Sequence, residues 1–302
     1  MKRLLLAVHG GSTADGAVHV ARLLRARTGA SIDVVAVLEP LPVFDYGYGP
    51  VYLPDPNTED ALADQLRAAV EEQLVRCSLA GAALSVLRGH RTATIVDLAT
   101  ARSADLIVVG AGAHHFADRA IGGETALQLA QHASTPVLAV PAAMRHLPHR
   151  ALAAVDFSPS SLAAARLATS LLTAGDAVEL AHVAAAAQIG AVVLGPAHIG
   201  EAERRMERFA AELNAPAGIH LTTSVFGGEP TRTLLDASRH THADVIALGS
   251  HGYGLWQRVL LGTVSSRVLR LASCAVLIYP SRCVPMAAAT ESLAAGAGVG
   301  SA

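Results

Sequence analysis

A shift of 139 residues lays the second half of this chain on the first: Gly249 falls on Gly110, Arg258 on Arg119, Gly262 on Gly123 and Pro280 on Pro141, without a gap. A chain of 302 residues built this way is expected to form two domains of ordinary size, each with its own core. Both halves alternate the same two signals. In the first, residues 4–8, 32–37, 84–87, 106–109 and 137–140 are short apolar runs that read as strands. Helical spacing of apolar residues covers 13–27, 58–80, 92–101 and 124–133. In the second, strand signals fall at 152–155, 178–183, 221–225, 245–248 and 276–279, with helical stretches between them. Short, nearly continuous apolar strands separated by helices predict an α/β chain. The expected architecture is two tandem open-sheet domains, each a five-stranded parallel sheet with helices on both faces, Rossmann-like in layout. The expected boundaries are 1–141, a linker at 142–150, 151–280, and a small, glycine-rich tail at 281–302 with the composition of a disordered segment.

Composition narrows the function classes. A formal net charge of −2 carries no basic footprint for nucleic acid. The apolar run near the N-terminus is too short for a signal segment, and no run approaches a membrane span. The three cysteines, Cys77, Cys274 and Cys283, have neither metal nor redox spacing, and Cys274 reads as a core residue. The expected location is the cytoplasm.

The chemistry concentrates in Gly249-Ser250-His251-Gly252, nine residues, then Gly262-Thr263. This run follows the apolar stretch ending at Leu248 and leads into a helical stretch from Val264 to Leu271. A strand, a glycine-punctuated loop and a helix start are what a phosphate chain needs. Glycine lets backbone approach closely, and free helical N–H groups favour negative charge. Ligands of open parallel sheets lie beyond the strands' carboxyl ends, where connections diverge. If the strands ending at Val155 and Leu248 are neighbours, Asp156 and Gly249 share one crevice. That crevice suits a nucleotide, with its base near Asp156 and Val183 and its phosphates near Gly252 to Thr263. Ser158-Pro159 is a good helix start beside it.

Gly249-x-x-Gly252-x9-Gly262-Thr263 resembles the nucleotide-binding signature of the universal stress protein family. Ala154 to Pro159 resembles the family's first strand and turn, His182-Val183 the end of its second strand, Gly228-Glu229-Pro230 the start of its third helix, and Ala243 to Ile246 its fourth strand. The resemblance runs from about Lys2 to Pro280. It implies an adenine nucleotide α-hydrolase-like sheet in each half. It also implies ATP, with Mg or Mn on its phosphates. Asp156 and Val183 would meet the adenine and ribose side, Leu248 and Gly249 would border the ribose, and Gly252, Gly262, Thr263 and Val264 would meet the phosphates. It further implies a regulatory protein of the stress response and a homodimer.

The first half departs from this pattern. His9 stands where the second half has Asp156, Ala113 where it has Gly252, and Glu124 where it has Thr263. A carboxylate at that helix start would occupy the dipole and repel phosphate, so ATP is expected mainly in the second domain. No lysine-bearing phosphate loop, dinucleotide fingerprint or esterase elbow occurs. No nucleophile or general base accompanies the loop, so no catalytic residue is assigned and any ATP hydrolysis is expected to be slow. His114-His115 and His240-x-His242 do not by themselves make a metal site, although His9 with His114 or His115 could bind one at the first half's strand ends. His251, Trp256 and Arg258 lie in the loop, with a phosphate contact and solvent exposure both open to the charged ones. Two alternative functions remain: a nucleotide-using enzyme of the same fold class, and a nucleotide-free module acting through oligomerisation. The last strands, 137–140 and 276–279, are candidate edges for pairing between halves or between chains.

Overall fold

The structure, a computed structural model, describes residues 1–40, 56–111, 123–184, 196–250 and 261–283. Contacts divide the chain into unit 1, Met1–His132 with Val140–Arg145, and unit 2, Ala133–Ala139 with His146–Ala302.

In unit 1 the order is β1 (Arg3–Ala7), α1 (Asp15–Thr28), β2 (Ser31–Leu38), α2 (Pro56–Arg76), β3 (Ala83–Arg88), α3 (Arg91–Ala101), β4 (Leu106–Gly110) and α4 (Gly123–His132). A short 3-10 turn, Ser12–Ala14, precedes α1. Strand β1 lies between β2 and β4, β2 pairs with β3, and every pairing is parallel. The central strands are buried on both faces, which is why Leu4, Leu5, Leu6, Leu106 and Ile107 are apolar without alternation. Helix α2 ends at Arg76, short of the expected residue 80. The apolar pattern runs on through Leu79, but Ser78 turns left-handed at φ 59°. The Leu79 N–H then donates to the Leu74 carbonyl at 2.8 Å, the closing bond of a helix-ending motif.

In unit 2 the order is β5 (Val137–Val140), β6 (Arg150–Ala154), α5 (Pro159–Ser170), β7 (Ala177–Ala184), α6 (Pro196–Leu213), β8 (His220–Gly227), α7 (Pro230–His240), β9 (Val245–Gly249), α8 (Thr263–Leu271) and β10 (Ala275–Tyr279). Strands β6 to β10 follow the parallel order β10-β9-β6-β7-β8, and Leu152, Leu180, Ile246 and Leu277 fill the core. One strand departs from the expected parallel sheet. Residues 137–139 of β5 pair antiparallel with β10, Val276 opposite Ala139 and Ile278 opposite Val137. Strand β10 is apolar on both faces, so an uncovered edge there would be a template for aggregation.

The repeat is carried by backbone devices as well as by pattern. Gly89 and Gly228 take φ 142° and 130° at the same place in each half. A Cβ on either would meet a threonine hydroxyl, Thr94 at 2.8 Å or Thr233 at 3.0 Å. Asp105 accepts the N–H groups of Lys2 and Arg3, and Asp244 accepts those of His149 and Arg150 at 2.8 and 3.0 Å. In each unit an aspartate before one strand thereby ties down the start of its neighbour.

Candidate functional site

In unit 2, β6 and β9 are neighbours, with Ala153 opposite Ala247, so the strand ends carrying Asp156 and Gly249 open on the same side. Asp156 follows β6 and is half-buried. Its Oδ1 accepts the Ser158 N–H at 2.9 Å, a local turn that fixes the carboxylate at the strand end. Phe157, between them, is held left-handed at φ 62°, an unfavourable conformation for a bulky residue. Packing holds it there. Its ring lies 4.5 Å from the His182 ring and edge-on to Phe209 at 6.3 Å, with the Arg205 guanidinium 3.9 Å above it. His182 Nδ1 donates to the Val155 carbonyl at 2.7 Å, which ties the end of β7, and so half-buried Val183, to the end of β6.

Gly249 is buried, and its lack of a side chain has a packing cause. A Cβ there would lie 2.5 Å from Ser160 Oγ and 2.9 Å from the Ser161 nitrogen, because the first turn of α5 crosses directly over it. That turn is fixed by Ser158, whose hydroxyl accepts the Ser161 N–H at 3.1 Å, with Pro159 in the first helical position. The Gly249 carbonyl accepts the buried Ser265 hydroxyl at 2.9 Å, which draws α8 against β9.

Gly262 is the N-cap of α8 and Thr263 its first residue. The Gly262 N–H donates to the Ser250 carbonyl at 2.7 Å, so the loop's two ends meet. The first helical bond runs from the Ser266 N–H to the Gly262 carbonyl at 2.9 Å. The N–H groups of Thr263, Val264 and Ser265 therefore precede the helical ladder. Thr263 is exposed and Val264 half-buried. Leu248 is buried in β9. Gly252, His251, Trp256 and Arg258 lie outside the described residues.

Unit 1 presents different chemistry at the matching strand ends. Its cleft is small, about 40 Å³, over a floor of Val35, Val37, Ile95 and Val109. His9 stands at the end of β1. Its Nδ1 accepts the Gly11 N–H at 3.2 Å, so its Nε2 carries the proton and donates to Thr13 Oγ1 at 3.0 Å. Partial burial of the ring pushes the imidazole below its ordinary range, and the nearby Arg91 cation acts in the same direction. Arg91, at the start of α3, gives one arm to Glu39 at 2.7 Å and another to Thr125 Oγ1 at 3.4 Å. The Gly10-Gly11 turn is held from α2. Buried Gln73 accepts the Gly10 N–H at 3.1 Å, and donates to the Gly11 carbonyl at 2.8 Å and to Asp15 at 2.9 Å.

Arg91, Gln73 and the serines over Gly249 were not singled out from sequence. Ser158-Pro159-Ser160-Ser161 carries the signal for the serines, since a capping run next to a strand-end glycine implies a close crossing. Gln73 is a polar residue in an amphipathic stretch, where periodicity assigns it to solvent, and Arg91 stands just before one. The expectations on His114, His115, Arg119 and Ala113 fall outside the described residues, and of the expected 281–302 tail only Ser281–Cys283 is described, as a 3-10 turn. Among the described residues no three metal-ligating side chains converge. There, too, no helix is long and apolar enough to cross a membrane. The cysteines form no disulfide, and half-buried Cys274 has its thiol pushed up to about 11 by burial.

A family model described as the universal stress protein family matches residues 1–141 and again 148–280. The chain belongs to the universal stress protein family. The tandem architecture read from the repeat is thus a double copy of that family's unit. A curated relative, Universal stress protein MJ0531 of Methanocaldococcus jannaschii, is 31% identical over 78 residues, 26% of this chain and 44% of that protein. The match spans less than half of that relative's length. A solved universal stress protein from Archaeoglobus fulgidus shares the fold over 91% of this chain and 95% of its own, at 17% identity and TM-score 0.64. A universal stress protein solved in complex with cAMP is 20% identical over 44% of this chain and 97% of its own, at TM-score 0.36.

Proposed function

We infer that the chain is an ATP-binding regulatory protein and that its nucleotide is held mainly by unit 2. The observation that carries this reading is the pairing of two features at one sheet edge. The half-buried Asp156 carboxylate ends β6, and the N-terminus of α8, with Thr263 and Val264 ahead of the helical ladder, follows the neighbouring strand β9. A carboxylate accepts from a base or ribose, and helical N–H groups donate to phosphate oxygens. In this reading Asp156 and Val183 meet the adenine and ribose side, Leu248 and Gly249 border the ribose, and Gly252, Gly262, Thr263 and Val264 meet the phosphates. A Mg or Mn ion would sit on the phosphates themselves, since neither Thr263 nor Val264 brings a carboxylate to the helix start. The protein acts in this reading as a cytoplasmic homodimer whose conformation or assembly responds to bound nucleotide.

Mass spectrometry of nucleotide released from the purified protein tests the reading, alongside calorimetric titration of ATP into the wild type and into Gly252→Val and Asp156→Ala. ATP retained by the wild type and lost in both variants supports it. Multiple turnovers of ATP would replace it with an enzyme, and a wild type that neither carries nor binds ATP would replace it with a nucleotide-free module.

A further inference from the structure

We propose that Phe157 is a spacer, whose ring holds α6 off the turn after β6 and so keeps room for a nucleotide base at the ends of β6 and β7. This role rests on the nucleotide reading of unit 2 and adds to it the residue that sets access to the site. The repeat provides an internal control, because the same turn follows the first strand of each half. His9, Gly10 and Gly11 form it in unit 1, and Asp156, Phe157 and Ser158 in unit 2. The middle residue is left-handed in both, at φ 83° for Gly10 and φ 62° for Phe157. The first side chain accepts the third residue's N–H in both, His9 Nδ1 from Gly11 at 3.2 Å and Asp156 Oδ1 from Ser158 at 2.9 Å. The third residue is extended in both, with φ −86° and ψ 154° at Gly11 and φ −83° and ψ 155° at Ser158. Glycine makes such a turn without strain, and a side chain there is disfavoured. The turn therefore does not need phenylalanine, and the strain it tolerates points to a task for the ring. What differs between the units is the helix that follows the second strand. In unit 1, α2 comes down on the turn: a Cβ on Gly10 would lie 2.7 Å from the Ala69 Cβ and 2.9 Å from its carbonyl carbon. The cleft left beside His9 is only about 40 Å³. In unit 2, α6 meets the turn through the ring, with the Arg205 guanidinium 3.9 Å above it and Phe209 edge-on at 6.3 Å. The same ring lies 4.5 Å from His182, next to Val183 at the end of β7. A phenyl ring thus stands where α2 and its turn touch directly. It does so at the strand ends that the nucleotide reading gives to adenine and ribose.

Calorimetric titration of ATP into the full-length protein and its Phe157 variants tests the spacer. Phe157→Met keeps most of the ring's volume and should bind ATP within about threefold of wild type. Phe157→Gly and Phe157→Ala let α6 settle on the turn and should each weaken ATP at least about tenfold. Losing the ring also loosens the packing of unit 2, and the order of the two small variants separates the two causes. Left-handed backbone suits glycine and strains alanine, so urea unfolding should rank Phe157→Gly above Phe157→Ala in stability. Side-chain volume ranks them the other way, so ATP should bind most weakly to Phe157→Gly. Circular dichroism checks that each variant folds. Phe157→Asn, which also tolerates the left-handed turn, carries the tenfold comparison if Phe157→Gly does not fold. Equal ATP binding by wild type and Phe157→Gly, tighter binding by Phe157→Gly than by Phe157→Ala, or Phe157→Met as weak as either would each overturn the spacer and leave the nucleotide reading standing. A wild type that binds no ATP would overturn both.

Discussion

A methyl group added at Gly249 would press on Ser160 Oγ at 2.5 Å and on the Ser161 nitrogen at 2.9 Å. The nitrogen is backbone and belongs to a capped helix turn, so neither neighbour yields cheaply. Gly249→Ala is expected to cost unit 2 about 1–3 kcal/mol, the usual range for overpacking. Gly227→Ala in the same unit meets nothing within 4 Å and should stay within about 0.5 kcal/mol of wild type. Urea unfolding reads both, and an equal loss in the two variants would refute the packing explanation. The same reasoning applies to Gln73, whose amide serves Gly10, Gly11 and Asp15. Gln73→Leu leaves a turn N–H and a carbonyl without their partner and should cost about 1–3 kcal/mol. An unchanged urea midpoint would show that water replaces the amide. These residues mark how far single positions can be read. Gly249 is legible as a glycine that must be one, because it ends a strand and opens a loop. Its reason is not legible, since ligand approach and helix crossing both demand the missing Cβ. Gln73 is illegible altogether, because only the folded turn beside it shows that a polar group is needed inside.

Helices α1 and α2 are joined by an ionic clamp that should make unit 1 sensitive to acid. Burial pushes the Asp15 carboxyl up, but hydrogen bonds from Arg76 and Gln73 and the Arg76 charge outweigh it and hold the group below its ordinary value of 3.8. A carboxyl depressed in the folded state stabilises fully above its unfolded value, and that contribution fades as pH falls below it. Stability of unit 1 should therefore drop as pH goes below about 3.8, as Asp15 takes up its proton. In Asp15→Asn the drop over that window should be smaller, and identical acid profiles for the two proteins would rule the clamp out as its source. At this scale most of the sequence reading survives, because helix starts and buried strands have local causes. Ser158 and Pro159 begin α5 where a cap and a first-turn proline belong. Strand runs such as 106–109 are apolar because both faces are covered. Two features escaped for the same reason. The end of α2 depends on the left-handed turn at Ser78, and the direction of β5 depends on a partner strand over a hundred residues away. Hydrophobic periodicity records burial, and it carries neither turn handedness nor strand direction.

Across the whole molecule one backbone plan carries two kinds of chemistry. The turns at Gly89 and Gly228 and the tethers of Asp105 and Asp244 repeat closely. The strand-end groups do not repeat: Asp156 and the start of α8 on one side, His9, Arg91 and Glu39 on the other. Residues that hold the fold are constrained by the sheet and so recur. In the proposed reading the residues facing the clefts are constrained by ligand, and their divergence predicts unequal response to one nucleotide. Hydrogen-exchange mass spectrometry with and without ATP measures this on the intact protein. At about a hundredfold excess over its dissociation constant, ATP stabilises a state that alone binds it by about 2.7 kcal/mol. That corresponds to roughly a hundredfold slower exchange wherever amides open by unfolding of the bound unit. Peptides covering β6 and β9 are expected to slow in this way, and Asp156→Ala should abolish the effect. Peptides covering β1 and β4 should exchange as in the free protein, because among the described residues there Arg91 is already paired with Glu39 and the His9 Nδ1 already accepts the Gly11 N–H. Equal slowing of both sets would show that the two clefts read the same ligand and that the divergence at their strand ends does not set binding.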